Sequence, residues 1–332
     1  MKEPYFWSAG LDPNSRESAP VTRALLTPLA WLYAAITAQK IKSAKPTKVT
    51  ATVICVGNIS AGGVGKSPVV AALRNRLSQN RNCRVASLSR GFGGSLKGPL
   101  KVDPLSHSAA EVGDEPFMLA QSGESWIGAD RAAAGWAMSQ AGVDIIIMDD
   151  GHQNTGLAKD FTFVVVDSVT AFGNGYVIPK GPLREPVASG LARANAIIVM
   201  GDAETPEAIT NANLPILRAA IVPSASVPTK PFVAFAGIGR PAKFFDTLTS
   251  LGADIRDSIP FADHHFYSNR DLSYLRDLAT DHNASLITTE KDLARLSLAQ
   301  RSGITSLPIK AQFEDTGLLD NLLSSVLKAA AE

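Results

Sequence analysis

An octapeptide, Ser60-Ala-Gly-Gly-Val-Gly-Lys-Ser67, follows a β-branched apolar run at residues 49–56 (VTATVICV) and precedes a stretch of helical spacing at 69–77. That order restricts the chain to folds in which a buried strand passes into a helix through a glycine-rich turn. Gly62, Gly63 and Gly65 let the backbone wrap closely and turn its N–H groups inward on phosphate oxygens. The helix adds its positive end. Lys66 reaches the β- and γ-phosphates, and the Ser67 hydroxyl suits Mg²⁺. Pro68 is tolerated in the first helical turn, where its missing N–H costs little. The cradle Ser60, Ala61, Gly62, Gly63, Val64, Gly65, Lys66 and Ser67 is therefore read as an ATP site, with Ser60 where the strict pattern has glycine.

The pattern beyond the loop predicts α/β architecture. Short apolar runs at 84–88, 143–148, 161–166 and 196–200 read as buried strands, and 115–120 and 130–141 read as helices. Such alternation points to a P-loop NTPase-like, mostly parallel sheet with helices on both faces. Near residues 223–231 (PSASVPTKP) the chain turns Pro- and Ser-rich, as a linker would. A strand at 232–236, a helix at 242–251, a strand at 285–288 and a helix at 318–331 follow. Three regions are expected: an N-terminal segment over 1–45, a P-loop core over 46–222, and a second, smaller α/β domain over 223–332.

Composition sets limits on partners. With 32 Lys+Arg against 31 Asp+Glu the chain lacks the basic field of a nucleic-acid binder. Two cysteines, Cys55 and Cys83, each beside an apolar run, read as reduced thiols rather than a disulfide framework. Residues 24–39 (ALLTPLAWLYAAITAQ) carry no charge, and Lys40, Lys42, Lys45 and Lys48 follow. The stretch is shorter than the roughly 20 apolar residues of a spanning helix. Two readings stay open: a buried core helix, or an interfacial helix with Trp31 and Tyr33 at headgroup depth and lysines on anionic lipid.

Several polar motifs accompany the loop. The run Ile145–Met148 delivers Asp149 and Asp150 to a strand end, where P-loop enzymes place the aspartate that manages Mg²⁺. Asp114 and Glu115 stand at a helix start, as caps or as a site. Asp263-His264-His265 falls in a loop, and Arg184-Glu185 in a Gly/Pro-rich turn where the guanidinium could pair with phosphate. Arg90 and Arg131 are weaker candidates. Thr289-Glu-Lys-Asp292 places its lysine one residue late for a guanine-reading motif, and Ala61 stands where membrane-associated regulatory ATPases carry a second lysine.

Taken in order, these motifs resemble the bacterial tetraacyldisaccharide 4′-kinase family over nearly the whole chain. The likeness includes Val56-Gly-Asn-Ile-Ser-Ala-Gly-Gly-Val-Gly-Lys-Ser-Pro68, Ser89-Arg-Gly-Phe-Gly-Gly94, Gly113-Asp-Glu-Pro116, Gly181-Pro-Leu-Arg-Glu185, Ala236-Gly-Ile-Gly239 and Asp263-His264. The resemblance implies transfer of the ATP γ-phosphoryl group to the 4′-hydroxyl of an acylated glucosamine disaccharide 1-phosphate, with Mg²⁺. It places the work on the cytoplasmic face of the inner membrane, with the N-terminal segment as a membrane-associated helix. It also implies that Asp114 takes the hydroxyl proton, oriented or tuned by His264. Lys66 and Arg184 would balance phosphate charge, and Ser67 with one or more of Glu115, Asp149 and Asp150 would hold the metal directly or through water. One departure stands out: the family's Asp-Asp-Gly-apolar-Gln-His pattern reads Asp149-Asp-Gly-His152-Gln-Asn154 here. The alternative from another class is a membrane-recruited ATPase that acts as a regulatory switch.

Overall fold

The computed structural model describes residues 4–12, 14–80 and 83–329. The outermost limits of the expected 1–45 and 223–332 regions, and positions 330–331 of the expected final helix, lie outside the described residues. In chain order the strands are β1 (Thr52–Gly57), β2 (Val85–Ser89), β3 (Leu100–Lys101), β4 (Ser125–Ile127), β5 (Ile145–Asp149), β6 (Phe161–Asp167) and β7 (Ala196–Met200). They continue as β8 (Ile216–Pro223), β9 (Pro231–Ala236), β10 (Asp254–Pro260), β11 (Ser285–Thr289), β12 (Ile304–Leu307) and β13 (Ile309–Phe313).

The described residues form a larger sheet of order β13-β8-β7-β6-β1-β5-β2-β4-β3 and a smaller one of order β10-β9-β11-β12. The larger sheet is parallel except at its margins, where β13 runs against β8 and β3 against β4. Strands β1, β5 and β7 are buried at every residue, which is why they read as unbroken apolar runs. The two-residue pleat sorts them onto two faces. Ile54, Val56, Ile145, Ile147, Phe163 and Ile198 meet Val69, Leu73 and Leu77 of the Lys66–Asn80 helix on one face. Ile146 and Met148 meet Ala134 and Met138 on the other, where Val164 and Val199 also pack against Leu191 and Ile209. This burial makes β1 a fixed platform, flanked by β5 and β6, from which the glycine-rich loop leaves the sheet.

Residues 231–307 build the smaller sheet, entirely parallel, around Val233, Phe235, Leu272, Leu275 and Leu286. The residues beyond it return. Strand β13 pairs with β8, and Leu319, Leu323 and Val326 of the Thr316–Ala329 helix join the core cluster of the larger sheet beside Leu73 and Leu77. The apolar spacing of that helix was legible, but not which sheet it would cover, because either core offers an apolar face.

The N-terminal segment is a helix, Pro20–Lys42, of 23 residues. It is long and apolar enough by composition and length to cross a membrane. Only Ala30 is buried, whereas Leu25, Trp31 and Ile36 are 74%, 76% and 61% exposed. A core helix buries its apolar stripe, and this one does not.

The returning helix generates a stability prediction. Leu323→Ala should destabilise the protein by about 2–5 kcal/mol, as expected for emptying a closed core position. Chemical denaturation checks this, and a loss under about 1 kcal/mol would show that the helix is not part of the larger core.

Candidate active site

The loop between β1 and the Lys66–Asn80 helix is held from outside by the segment 182–184. Ala61 N donates to Pro182 O at 2.7 Å, and Arg184 N donates to Ile59 O at 2.8 Å. Gly62 (φ 103°) and Gly65 (φ 85°) lie in the left-handed region that side chains avoid. An added Cβ at Gly65 would also press on Met200 and Ile221. The backbone tie carries Arg184 to the carboxyl end of β5.

Five functional side chains converge there. Ser67 Oγ donates to Asp149 Oδ2 at 3.0 Å. Lys66 Nζ stands 3.5 Å from Asp150 Oδ1, and Arg184 Nη1 donates to the same oxygen at 2.9 Å. Asp150 adopts φ 50°, a conformation unusual for aspartate that turns its carboxylate toward these two cations. The two neighbouring acids are pushed apart. Burial, and then the charge of Glu115, raise Asp149 well above the usual carboxylate range. Burial opposes ionisation at Asp150 too, but Lys66 and Arg184 hold it below that range. Asp149 Oδ1 is buried and has no hydrogen-bond partner.

That orphaned oxygen, the Ser67 hydroxyl and the nearby Glu115 carboxylate fit a divalent cation, which would relieve the mutual repulsion of the two acids. Among the described residues no group of three or more His, Cys, Asp or Glu is arranged to cage a metal. This donor set suits Mg²⁺, which usually keeps waters and shares one or two carboxylates with substrate phosphates.

A second cluster joins the two sheets. His264 Nδ1 lies 3.1 Å from Asp114 Oδ2, bringing together the two residues expected to act on a hydroxyl. Its loop is fixed by His264 N donating to Gly237 O, and its φ of 58° is again left-handed. Arg295, missed by the sequence reading, donates to Asp114 Oδ2 from Nη2 at 2.6 Å and from Nε at 3.1 Å. Lys291 pairs with Glu115 at 3.1 Å and stands 3.9 Å from Asp114. Burial would raise the Asp114 carboxyl, but the His264 hydrogen bond and the Lys291 and Arg295 charges hold it far below the usual range. Arg295 is itself anchored by Asp292, which also accepts from Gly237 N, Tyr267 Oη and Thr289 Oγ1. The available signal was the four-residue spacing of Lys291 and Arg295, which puts both on one side of a helical turn capped by Arg295.

The remaining candidates sit elsewhere. His265 faces Asp271 rather than the cleft, at 3.2 Å. Arg131 is buried and donates to Gly128 O, and Arg90 is exposed. Asn154 Oδ1 accepts from Gly156 N and Leu157 N, which makes it a turn former. His152 is buried with Nε2 3.0 Å from Gly190 O, behind the site.

A profile of the family described as "Tetraacyldisaccharide-1-P 4'-kinase" matches residues 22–328. A tetraacyldisaccharide 4'-kinase of Hyphomonas neptunium is 54% identical over 332 residues, covering all of both chains. One from Maricaulis maris is 48% identical, covering 99% of this chain and 97% of the relative. The crystal structure of LpxK from Aquifex aeolicus in complex with ATP superposes with a TM-score of 0.73 at 25% identity, covering 92% of this chain and 99% of that one.

The site's buried histidine predicts an acid limb of stability. Burial, then the charge of Arg193, lower His152 from 6.5 to about 4. Between those values the unfolded chain binds a proton that the folded one refuses, so stability falls as pH drops through that window. The slope approaches about 1.4 kcal/mol per pH unit. Denaturation midpoints for His152→Leu should therefore vary less between pH 6.5 and 4 than those of the wild type. Parallel curves would mean that the histidine is charged in the fold.

Proposed function

Because the chain belongs to the tetraacyldisaccharide-1-P 4'-kinase family, we propose that it transfers the γ-phosphoryl group of ATP to the 4′-hydroxyl of an acylated glucosamine disaccharide 1-phosphate. The observation that carries this reading is the presence of both the Lys66–Asp150–Arg184 cradle and the Asp114–His264 pair at the seam of the two sheets, linked by Glu115, whose charge acts on Asp149 and which pairs with Lys291 beside Asp114. A switch ATPase needs the first and has no use for the second.

Phosphoryl transfer asks mainly for positioning and charge balance. The loop amides and Lys66 hold the β- and γ-phosphates, and Lys66 exchanges Asp150 for phosphate oxygens as the nucleotide enters. Arg184, fixed by its backbone bond to Ile59, faces the transferred group. Mg²⁺, held by Ser67 and Asp149 with Glu115 nearby, would neutralise phosphate charge. The hydroxyl proton goes to the Asp114–His264 unit. Asp114 is the anchored, ionised end, gripped by Arg295, so His264 donates to it from Nδ1 and keeps Nε2 as the accessible acceptor. Asp114 then stabilises the imidazolium. This exchanges the roles expected from the resemblance, because a carboxylate held by so many donors is a weak base.

The exposed Pro20–Lys42 helix supports association with the cytoplasmic face of the inner membrane, leucines and Trp31 toward lipid and Lys40 and Lys42 at its end. Each apolar side chain buried there contributes roughly 1.5–3 kcal/mol. Deleting residues 1–41 should move the protein to the soluble fraction. A folded truncation that stays with membranes would refute the anchor.

Incubation with ATP and an acylated disaccharide 1-phosphate tests the activity. Labelled lipid is expected, whereas free phosphate alone would leave a switch. Lys66→Ala should abolish most turnover in a folded protein, and near-normal rates would remove the loop from the mechanism.

The proton-handling pair gives a sharper test. Asp114→Ala and His264→Ala should each lower kcat about 10²–10⁴-fold. The double variant should be scarcely worse than the poorer single one, since the residues act as a unit. Added imidazole should partly restore His264→Ala and not Asp114→Ala. Multiplicative losses, or rescue of neither, would break the assignment.

A further inference from the structure

Two cations are held over one aromatic ring at the base of the exposed helix. Lys180 Nζ lies 3.9 Å from the Tyr176 centroid, and the Arg23 guanidinium carbon lies 5.1 Å from it. Neither side chain has a carboxylate partner among the described residues, where ion pairs elsewhere tie Lys66, Arg76, Arg84, Arg193 and Arg240. Arg23 Nε is buried with no hydrogen-bond acceptor. Like charges gathered at one ring repel, and cation–π attraction of about 0.5–2 kcal/mol offsets only part of the cost of holding them there. An anion would complete the arrangement.

Position says which anion. Arg23 shares a helix face with Thr27, Ala30 and Ala34, the face that docks on the body through buried Ala30 and through Ala34 against the Leu191 cluster. The guanidinium therefore sits at the seam between membrane helix and enzyme. Lys180 belongs to a loop made rigid from both sides. Asn174 Nδ2 donates to Phe6 O and to Lys180 O, and Trp7 Nε1 donates to Pro179 O. The same loop continues into Pro182 and Arg184, which lie on the phosphate loop and against Asp150. Lys180 and Arg184 are four positions apart, at most about 14 Å of chain, an upper limit within which two sugar rings laid end to end fit.

We propose that Arg23, Tyr176 and Lys180 form the subsite for the acceptor's own phosphate monoester, at the end of the disaccharide remote from the reacting hydroxyl. This rests on the kinase reading and deepens it. Arg184 is committed to the Asp150 end, so the sugar phosphate is read by different cations. The segment 180–184 then acts as a gauge. Phosphate at one end and the phosphoryl-transfer cradle at the other select an acceptor of disaccharide length, while its acyl chains follow the exposed apolar face of the helix.

The test compares two acceptors in detergent micelles, the acylated disaccharide with a 1-phosphate and the same compound with a free 1-hydroxyl. Wild type should prefer the phosphate-bearing acceptor, and in the Arg23→Gln/Lys180→Gln variant the ratio of kcat/KM values should collapse about 10- to 100-fold, chiefly through KM. Lys180→Gln alone should remove part of the preference and serves if the double variant does not fold. An unchanged ratio in folded variants overturns the subsite. A wild type that phosphorylates neither acceptor overturns the kinase reading itself, a separate outcome. Sedimentation with phosphatidylglycerol and with phosphatidylcholine vesicles completes the set. Variants that lose only their binding to anionic vesicles, with the acceptor ratio intact, would assign the cations to membrane headgroups and overturn the proposal.

Discussion

A carboxylate at the seam ties the two sheets together, alongside the Glu115–Lys291 and Asp167–Arg240 pairs. Asp114, on the larger sheet's side, accepts from His264 and Arg295 of the smaller unit. A buried charge of this kind is tolerable only when hydrogen-bonded donors surround it. Here most of those donors come from across the seam. Removing the donors would leave Asp114 an uncompensated buried charge, whereas Arg295 keeps Asp292, so the contact that assembles the proton-handling unit also helps to set how the two sheets meet. Asp292 extends the dependence inward, since it fixes Arg295 and the Gly237 turn in one stroke.

Two of the six described non-glycine residues with positive φ fall at the site. Asp150 and His264 both occupy left-handed backbone conformations, at a cost of about 1–3 kcal/mol each. Neither is at a free loop tip. Asp150 is braced by Lys66 and Arg184, and His264 by its backbone bond to Gly237 and by Asp114. The surrounding contacts over-determine both positions, which is what aiming a side chain against its preferred geometry requires. The orphaned Asp149 oxygen is a third departure from ordinary satisfaction.

The phosphate cradle was legible in the sequence because each of its parts is local. Strand, glycines, lysine, serine and helix follow one another, so spacing alone carries the geometry. The acidic end of β5 was legible for the same reason. Asp114 and His264 lie 150 residues apart, and only the resemblance paired them, since no local rule can. Arg295 went unread because its role exists solely in the partner it finds across the seam. The apolar N-terminal stretch was ambiguous between core and membrane. Composition is identical in the two cases, and only the structure reveals that Leu25 and Trp31 are largely exposed. Asn154, which looked like a broken motif, makes an ordinary turn.

The chain leaves the larger sheet after β8, builds the smaller one, and comes back for β13 and the Thr316–Ala329 helix. That helix lies beside the one that begins at Lys66, and Arg76 grips Asp320 across the contact at 2.5 Å. The order has a consequence for biosynthesis. While the ribosome is still making residues 231–307, the phosphate-loop helix has one flank bare, with Leu73 and Leu77 lacking the cover of Leu319 and Leu323. A nascent chain of that length presents a sticky apolar strip beside an unfinished sheet edge at β8. The nucleotide cradle is thus among the first motifs translated, whereas the cover of the helix that leaves it is among the last.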